Sequence, residues 1–523
     1  MILFKNPEFL RLARSKLRPR ALFTYGLIAV LIFGGVLASA YFIEKSNSQR
    51  MTRWGPVASK VSITRAFHSA FVAIMGFQLA IVALFGVALS AQNVTLEKER
   101  GTFDFQRLVS MGPWRLTVGK LMGAPIEAFY MAGIGTLFAL IACLGCDIAL
   151  IDFLQSQIVV FGFGLTVCSL ALMCSSLANK TAQATGLAMA FGIPIYILCV
   201  NINFASFWSS ANPLLLMKQI ALQGRAGTSA TSTIHFCGIA LPVIVGFVTI
   251  SVLAIWLNLT ITSRRIADAE LSFMTPRQGF FAFAILQCLL MGDLSAYSGW
   301  HGLLPIKIFH GVNLAALLFL AFALTPGAEL VRGRVLREPR DGHWKVVFEH
   351  TNRLQDAPGI RALLDVCLIY LFSTIIHAFV LAGGMPLYPE MLKSEALMFV
   401  MNSALGIAAA AMLLYVQVYT ERAAFKIGMF LVLTGFIIPP FLMWIAYEME
   451  VIRDEIYIMR ISPVAYITGQ EELIFKGGMF VCPAIAVVLA VAFCLLAAMR
   501  IRFVIDMEDV ARQRAERELA GAA

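Results

Sequence analysis

Three titratable residues lie in long apolar stretches of the sequence and are the first candidates for chemistry: Glu127, Asp365 and His377. An ionisable side chain within a membrane span is costly, so such residues often mark a transport pathway or a binding site. These residues would line an inner vestibule or bind a cationic head group. The structural alternative pairs Asp365 with Arg361 and lets Glu127 bond across helices. We favour that alternative for Asp365, whereas both interpretations stay open for Glu127.

A second candidate is the pair Cys143 and Cys146, whose CxxC spacing suits a metal or a redox function. No second ligand pair accompanies it. The ten cysteines lie mostly in or beside apolar runs, and the 23 methionines form no ligand-spaced cluster. We therefore interpret the cysteines as small core residues and predict no bound metal.

Apolar helices must position these residues, because 59% of the 523 residues are hydrophobic and only 14% are charged. Soluble chains have about 45–50% apolar and about 25% charged residues. This composition excludes a soluble enzyme and a disordered chain. It predicts an all-α polytopic membrane protein with little sequence left for catalysis in water.

Stretches of about 20 apolar residues predict about twelve transmembrane helices. Their approximate bounds are 21–43, 67–91, 121–143, 158–177, 184–200, 236–262, 279–296, 308–326, 362–383, 396–419, 427–446 and 479–499. The seventh and eighth are the weakest of these predictions. Only three acids fall within the predicted spans: Glu127, Asp293 and Asp365.

The positive charges predict the orientation of these spans. With both termini in the cytoplasm, 29 of the 41 Lys and Arg residues lie in cytoplasmic segments and 12 in outer segments. The net charge of +10 then reflects topology, so we expect no nucleic-acid partner. One alternative is that Ala38-Ser39-Ala40 is a signal-peptidase site, but the preceding apolar run and basic leader are long and favour a retained span.

The order of spans and loops repeats once. In each half, two spans precede a charged cytoplasmic segment and four spans follow it, which predicts two parallel six-helix repeats with a pathway between them. The predicted organisation is an amphipathic helix over 1–20, a first permease half over 21–265 with a coupling segment over 92–120, a second half over 266–503 with a cytoplasmic loop over 327–361, and a charged tail over 504–523.

The coupling segment is the most informative stretch of the chain. It begins with the charged run from Glu97 to Arg100, after which Gly101 breaks the helix and Thr102 can cap the next one. Phe105 supplies an apolar contact in that next helix. A short amphipathic helix here would transmit force from a soluble partner, or it would lie on lipid headgroups. The residues alone do not separate these two alternatives.

This segment resembles the coupling-helix region of ABC-2 type transporter permeases. The matching positions are an acidic-basic cluster, a Gly-Thr step and a Gly-Lys entry into the third span: Glu97, Glu99, Arg100, Gly101, Thr102, Gly119 and Lys120. The basic N-terminal stretch that begins at Asn6-Pro7 also resembles that family's connecting helix. Phe9, Leu10, Ala13 and Leu17 would form its interfacial face.

The matching loop of the second half contains Glu329, Arg332 and Gly333, but Arg334 stands where the family has threonine. The resemblance implies that this loop meets a partner differently or couples weakly. Because that family usually has six spans per subunit, twelve spans imply two fused halves in one chain.

The resemblance also implies that transport and ATP hydrolysis belong to separate subunits. The sequence has no GxxxxGK[ST] motif for nucleotide binding, so ATP and Mg²⁺ would bind to two separate ATPase subunits. This chain would be a non-enzymatic permease in the lipid bilayer of a bacterial cytoplasmic membrane, without a cofactor of its own, and would export its substrate by alternating access. Two alternatives stay open: a secondary transporter of the major facilitator type, and a non-transporting scaffold or sensor.

Overall fold

The computed structural model describes most of the first half of the chain and parts of the second. The described ranges are 6–53, 63–103, 111–146, 148–178, 180–188, 233–236, 239–267, 272–293, 304–325, 359–384, 389–419 and 483–500, with the single residues 213, 216, 503 and 507. Contacts divide the chain into two units, Met1–Ala267 (unit 1) and Asp268–Ala523 (unit 2). The boundary lies close to the predicted one at 265–266.

Unit 1 is built from helices and one small hairpin. Its elements are α1 (Pro7–Lys16), α2 (Pro19–Arg53), α3 (Ile63–Ala80), a π-helical turn (Ile81–Gly86), α4 (Val87–Glu99), α5 (Pro113–Gly123), α6 (Ile126–Gly145), α7 (Leu150–Leu177), β1 (Thr233–Phe236), β2 (Ile239–Pro242) and α8 (Val243–Ala267). A further short helix covers 181–188. The strands pair antiparallel, with Thr233 opposite Pro242.

The described part of unit 2 is helical. Its elements are α9 (Pro276–Asp293), α10 (Leu304–Leu324), α11 (Gly359–Gly384), α12 (Pro389–Tyr419) and α13 (Pro483–Arg500). Leu314, Met398, Leu405, Ala408 and Ala486 belong to one buried cluster that joins α10, α12 and α13. These elements give the all-α class that the composition predicts.

Within the described residues, seven helical stretches are long and apolar enough to cross a membrane. They are Pro19–Ser46, Ile63–Glu99, Ile126–Gly145, Leu150–Leu177, Val243–Ala267, Glu395–Tyr415 and Pro483–Arg500. Shorter apolar stretches occupy Phe309–Ala321 and Leu363–Phe379. The chain is therefore a multi-pass membrane protein by its helices. The count of twelve, the repeat and the side of the termini stay predictions, since the eleventh predicted span and most of the fifth lie outside the described residues.

Several predicted boundaries differ from those of the structure, and two of the differences have local reasons. The third predicted span, 121–143, is interrupted near Pro125, because proline removes a backbone donor and α6 begins just after it. The sixth, 236–262, begins as the β hairpin, and its helix starts only at Val243. The apolar stretch of the tenth begins at Glu395, one residue before its approximate predicted start.

Candidate functional site

The N-terminal helix α1 lies against the start of α5 and positions the first part of the site. The Asn6 side chain caps α1 by accepting from the backbone N–H of Glu8 at 3.0 Å, and Pro7 occupies the first turn. The same Asn6 side chain donates to the backbone carbonyl of Arg115 at 2.7 Å. One residue thus starts the helix and anchors it to α5.

Two glycines on α5 allow this close approach. A Cβ atom added at Gly119 would lie 2.8 Å from the Asn6 side-chain oxygen and 2.9 Å from the Glu8 Cβ. A Cβ at Gly123 would lie 2.8 Å from the Leu12 Cβ. The spacing of four residues places both glycines on one face of α5, as in small-residue helix crossings within membranes.

Between these glycines, Lys120 reaches the centre of a cluster of four alternating charges, which we call the four-charge cluster: Glu8, Arg11, Glu97 and Lys120. Lys120 Nζ contacts Glu97 and lies 3.1 Å from Glu8 Oε1. Arg11 binds Glu8 through two nitrogens at 2.8 and 2.9 Å, and it reaches Glu97 at 2.7 Å. Because Lys120 is fully buried, its charge needs both carboxylates.

The contacts within the cluster favour the ionised forms of Glu8 and Arg11. Burial by itself would raise the pKa of Glu8, but the hydrogen bond from Arg11 and the charge of Lys120 outweigh it, so this pKa lies below its usual value. The hydrogen bond to Glu8 is the largest cause of the raised pKa of Arg11. The cluster therefore joins α1, α4 and α5 by paired charges.

Helix α4 ends in a Schellman motif at the predicted break. Gly101 has a φ of +68°, its N–H donates to Lys98 O at 3.1 Å, and the N–H of Thr102 donates to Glu97 O at 3.0 Å. The Thr102 hydroxyl also donates to Glu97 O, at 3.3 Å. Thr102 therefore closes α4, because the left-handed glycine turns it back over α4. The predicted cap of the following helix stays a prediction, since residues 104–110 lie outside the described residues. Phe105 lies outside the described residues.

The other charged residues at the end of α4 make separate contacts. Lys98 donates to the carbonyls of Ser176 and Ala178 at the end of α7, at 2.7 and 2.9 Å. The Glu99 carboxylate accepts from the N–H and hydroxyl of Thr181, at 2.8 and 2.9 Å. Arg100 is exposed. The predicted motif thus fixes α4 to α7 and to the short helix over 181–188, and leaves Arg100 facing outward.

Glu127 lies in the first turn of α6, where the positive end of the helix dipole favours a carboxylate. Its Oε2 is 3.8 Å from Lys16 Nζ, and Lys16 also donates to the carbonyl of Ala124. Glu127 therefore forms an ion pair across helices with Lys16 of α1. Burial lowers the pKa of Lys16, an effect that the charge of Glu127 opposes.

The candidates of the second half divide into placed and unplaced residues. Glu329, Arg332 and Gly333 lie outside the described residues, as does the side chain of Arg361. Asp365 is half-buried on α11.

His377 is fully buried, and its Nδ1 lies 2.6 Å from Oε1 of Glu395. Sequence reasoning missed Glu395, because it stands one residue before the predicted start of its span. Its spacing of seven residues from Asn402 could have placed both polar side chains on one helix face.

The CxxC pair is a buried local contact. Cys143 Sγ donates to Ile148 O at 3.5 Å, and Cys146 Sγ donates to Cys143 O at 3.6 Å. Within the described part of the chain, neither cysteine forms a disulfide bond. Among the described residues, no group of three or more His, Cys, Asp or Glu side chains is arranged to hold a metal ion.

Comparisons with models of known protein families, with curated proteins and with solved structures found no match for this chain. The geometry at the α1 end of unit 1 therefore carries the functional argument. The residues at this end hold helices together through ion pairs and hydrogen bonds. This arrangement couples helix positions through paired charges and presents an exposed tip, formed by Glu99, Arg100, Gly101 and Thr102 (the α4 tip).

Proposed function

We propose that the chain is the membrane-spanning subunit of an ABC-2 type transporter, which exports a substrate by alternating access. The observation that carries the proposal is the four-charge cluster, because it joins an N-terminal helix, the end of a long span and the entry of the next one. These three elements are the ones that the family resemblance assigns to the coupling region.

The geometry supports a route for force through unit 1. A partner that pushes the exposed α4 tip moves Glu97, which lies less than one turn before it. Glu97 contacts Lys120 of α5 and Arg11 of α1, so a displacement of α4 reaches both helices. Lys98 and Glu99 extend the connection to α7 and to Thr181. Rigid packing transmits such shifts between discrete arrangements.

The partners in this proposal are two separate ABC ATPase subunits that hold ATP and Mg²⁺. This chain contributes no catalytic residue and no cofactor of its own. It functions as two fused six-span halves in a bacterial cytoplasmic membrane. Glu127 then holds α1 in place at the inner end, and Asp365 and His377 lie in the second half of the pathway region.

The loop lengths favour this proposal over a major facilitator transporter. In a carrier of that type the long loop separates the sixth and seventh spans, whereas here the long predicted loops, 92–120 and 327–361, follow the second and eighth. A non-transporting scaffold that binds an ATPase would use the same α4 tip. Transport itself separates that alternative from the proposal.

Affinity purification of the full chain in mild detergent tests the proposal. We expect an ATPase subunit to co-purify, and we expect Arg100→Glu to reduce its recovery because the exposed charge is reversed. Lys45→Glu is the matched control. Lys45 is also exposed, but it lies near the end of α2 that is distant from α1. Absence of any ATPase subunit, or equal recovery with both variants, would contradict the proposal.

A further inference from the structure

The described part of unit 2 contains a buried group of titratable side chains that the proposed function does not use. His310, His377 and Glu395 form it, and we call it the His–Glu–His cluster. The two histidines are 0% exposed and Glu395 is 2% exposed. His310 and Glu395 lie about two turns from the start of α10 and α12, and His377 lies about two turns from the end of α11. Three helices therefore meet at this cluster.

The hydrogen bonds determine where its protons are. Glu395 Oε2 lies 2.8 Å from His310 Nε2, and Glu395 Oε1 lies 2.6 Å from His377 Nδ1. An ionised carboxylate accepts from both rings, which assigns one N–H to each contact. His310 Nδ1 then accepts from the Tyr370 hydroxyl, which in turn accepts from Asn402 Nδ2 at 2.9 Å. Each hydrogen bond in this series therefore has one donor and one acceptor.

In this arrangement the cluster has a net charge of −1. Among the side chains that the structure describes, the titratable groups beside it are Tyr370 and Cys367 of α11, and neither is a cation. On α9 and α10, the buried amides of Gln287 and Asn313 bond each other. A buried charge that no cation balances is strongly disfavoured.

One nitrogen of the cluster is unused. His377 Nε2 is buried and has no hydrogen-bond partner among the described residues. Its ring stacks on Phe309, with centroids 4.3 Å apart and planes 8° apart. Both carboxylate oxygens and the other three imidazole nitrogens already have partners. A proton is the cation that the cluster can accept without breaking any of these bonds.

We propose that the His–Glu–His cluster is a binding site for one exchangeable proton, which adds to Nε2 of His377. The step forms one N–H bond with a proton from water and breaks no bond within the cluster. It converts the net charge from −1 to 0, as an imidazolium–carboxylate pair. Because the three side chains come from α10, α11 and α12, occupancy of the site changes the electrostatic energy with which these helices pack.

Histidine ¹⁵N NMR of the full-length protein in lipid nanodiscs measures this proton directly. As the pH is lowered across the range in which the protein stays folded, we expect His377 to change from a neutral ring to an imidazolium. His310 is expected to keep its Nε2–H form. His377→Gln assigns the resonance, and the half-buried His68 of unit 1 provides an internal reference.

Two variants separate the proton site from a general effect on folding. Glu395→Gln removes the carboxylate that stabilises the imidazolium, so His377 is expected to stay neutral throughout this range. Thr374→Val is the matched control, because it removes a buried α11 hydroxyl that bonds Tyr370 O at 2.8 Å outside the cluster, and its titration should equal that of the wild type.

A wild-type His377 that stays neutral over the whole range would overturn the proposal, and so would the same titration in Glu395→Gln. If Glu395→Gln does not fold, the wild-type spectrum still decides. None of these measurements involves an ATPase, so their failure is distinct from failure of the proposed function.

Discussion

At the scale of single residues, paired contacts offset the free-energy cost of burying a charged side chain. Lys120 is fully buried, yet two carboxylates and Asn93 surround its ammonium group. Glu8 is 4% exposed and depends on the same contacts. Removing one partner from such a cluster leaves an uncompensated buried charge, which destabilises the folded state more than the loss of a surface ion pair does.

The lowered pKa of Glu8 predicts how docking of α1 depends on pH. Because its pKa is lower when folded than the ordinary value of 4.5, Glu8 stabilises the folded state above that value. This stabilisation is lost as the pH falls through the lowered pKa. We expect hydrogen-exchange protection of Pro7–Lys16, corrected for the intrinsic exchange rate, to fall below about pH 4.5.

In the same measurement, Glu8→Gln should show weak protection already at pH 7, with little change on acidification. Arg14→Gln is the control, because Arg14 is exposed on the same helix. It should keep the wild-type profile. Equal protection of Glu8→Gln and the wild type at pH 7 would show that the charge of Glu8 does not hold α1.

At the scale of elements, close approach between α1 and α5 positions the charges. Asn6 and Glu8 lie over Gly119, and Leu12 lies over Gly123. Within the predicted amphipathic stretch 1–20, the structure has a helix at Pro7–Lys16. Its buried residues are Glu8 and Leu12, whereas the predicted face residues Phe9 and Leu10 are half-buried.

We predict that Gly123→Ala weakens this contact by about 1–3 kcal/mol, because the new methyl group would lie 2.8 Å from the Leu12 Cβ and force α1 to move. Gly133→Ala on α6 is the matched control, since a Cβ there meets no atom within 4 Å. It should be neutral or gain up to about 1 kcal/mol from helix propensity.

Unfolding in mixed micelles gives the two free-energy changes, and hydrogen exchange of α1 shows where the change occurs. If both alanine variants behave alike, the close approach of α1 to α5 does not contribute to stability.

At the scale of the molecule, unit 1 has two distinct ends. At one end, three lysine side chains connect neighbouring helices. Lys16 joins α1 to the start of α6, Lys98 joins the end of α4 to the end of α7, and Lys120 joins α5 to α1 and α4. Phe67 of α3 meets Gly145 of α6 at the other end. The positive charges predict that the α1 end faces the cytoplasm.

Cysteine labelling with a membrane-impermeant maleimide checks that orientation. Thr102 and Ala149 are both exposed, and they lie at opposite ends of unit 1. In intact cells we expect Ala149→Cys to be labelled and Thr102→Cys to react only after the membrane is opened. The wild-type chain gives the background from its own thiols. The reverse pattern would place the α4 tip outside and remove it from any cytoplasmic ATPase.

Local patterns in the sequence were sufficient to place many of the described helices. A long apolar run predicts a span such as Leu150–Leu177, since the backbone must form a helix where water is absent. Asn6-Pro7 and Gly101 marked a helix start and a helix end, because capping and left-handed turns depend on one or two residues.

The tertiary structure decided which polar residues are buried together. Lys120 was read as the entry to a span, but its burial depends on Glu8 and Glu97, which belong to other helices. Glu395 stands one residue outside a predicted span, but two histidines from α10 and α11 enclose it. The sequence determined the helices because their hydrogen bonds and apolar surface are local. It did not determine the charge clusters, because their energy depends on contacts between helices that are distant along the chain.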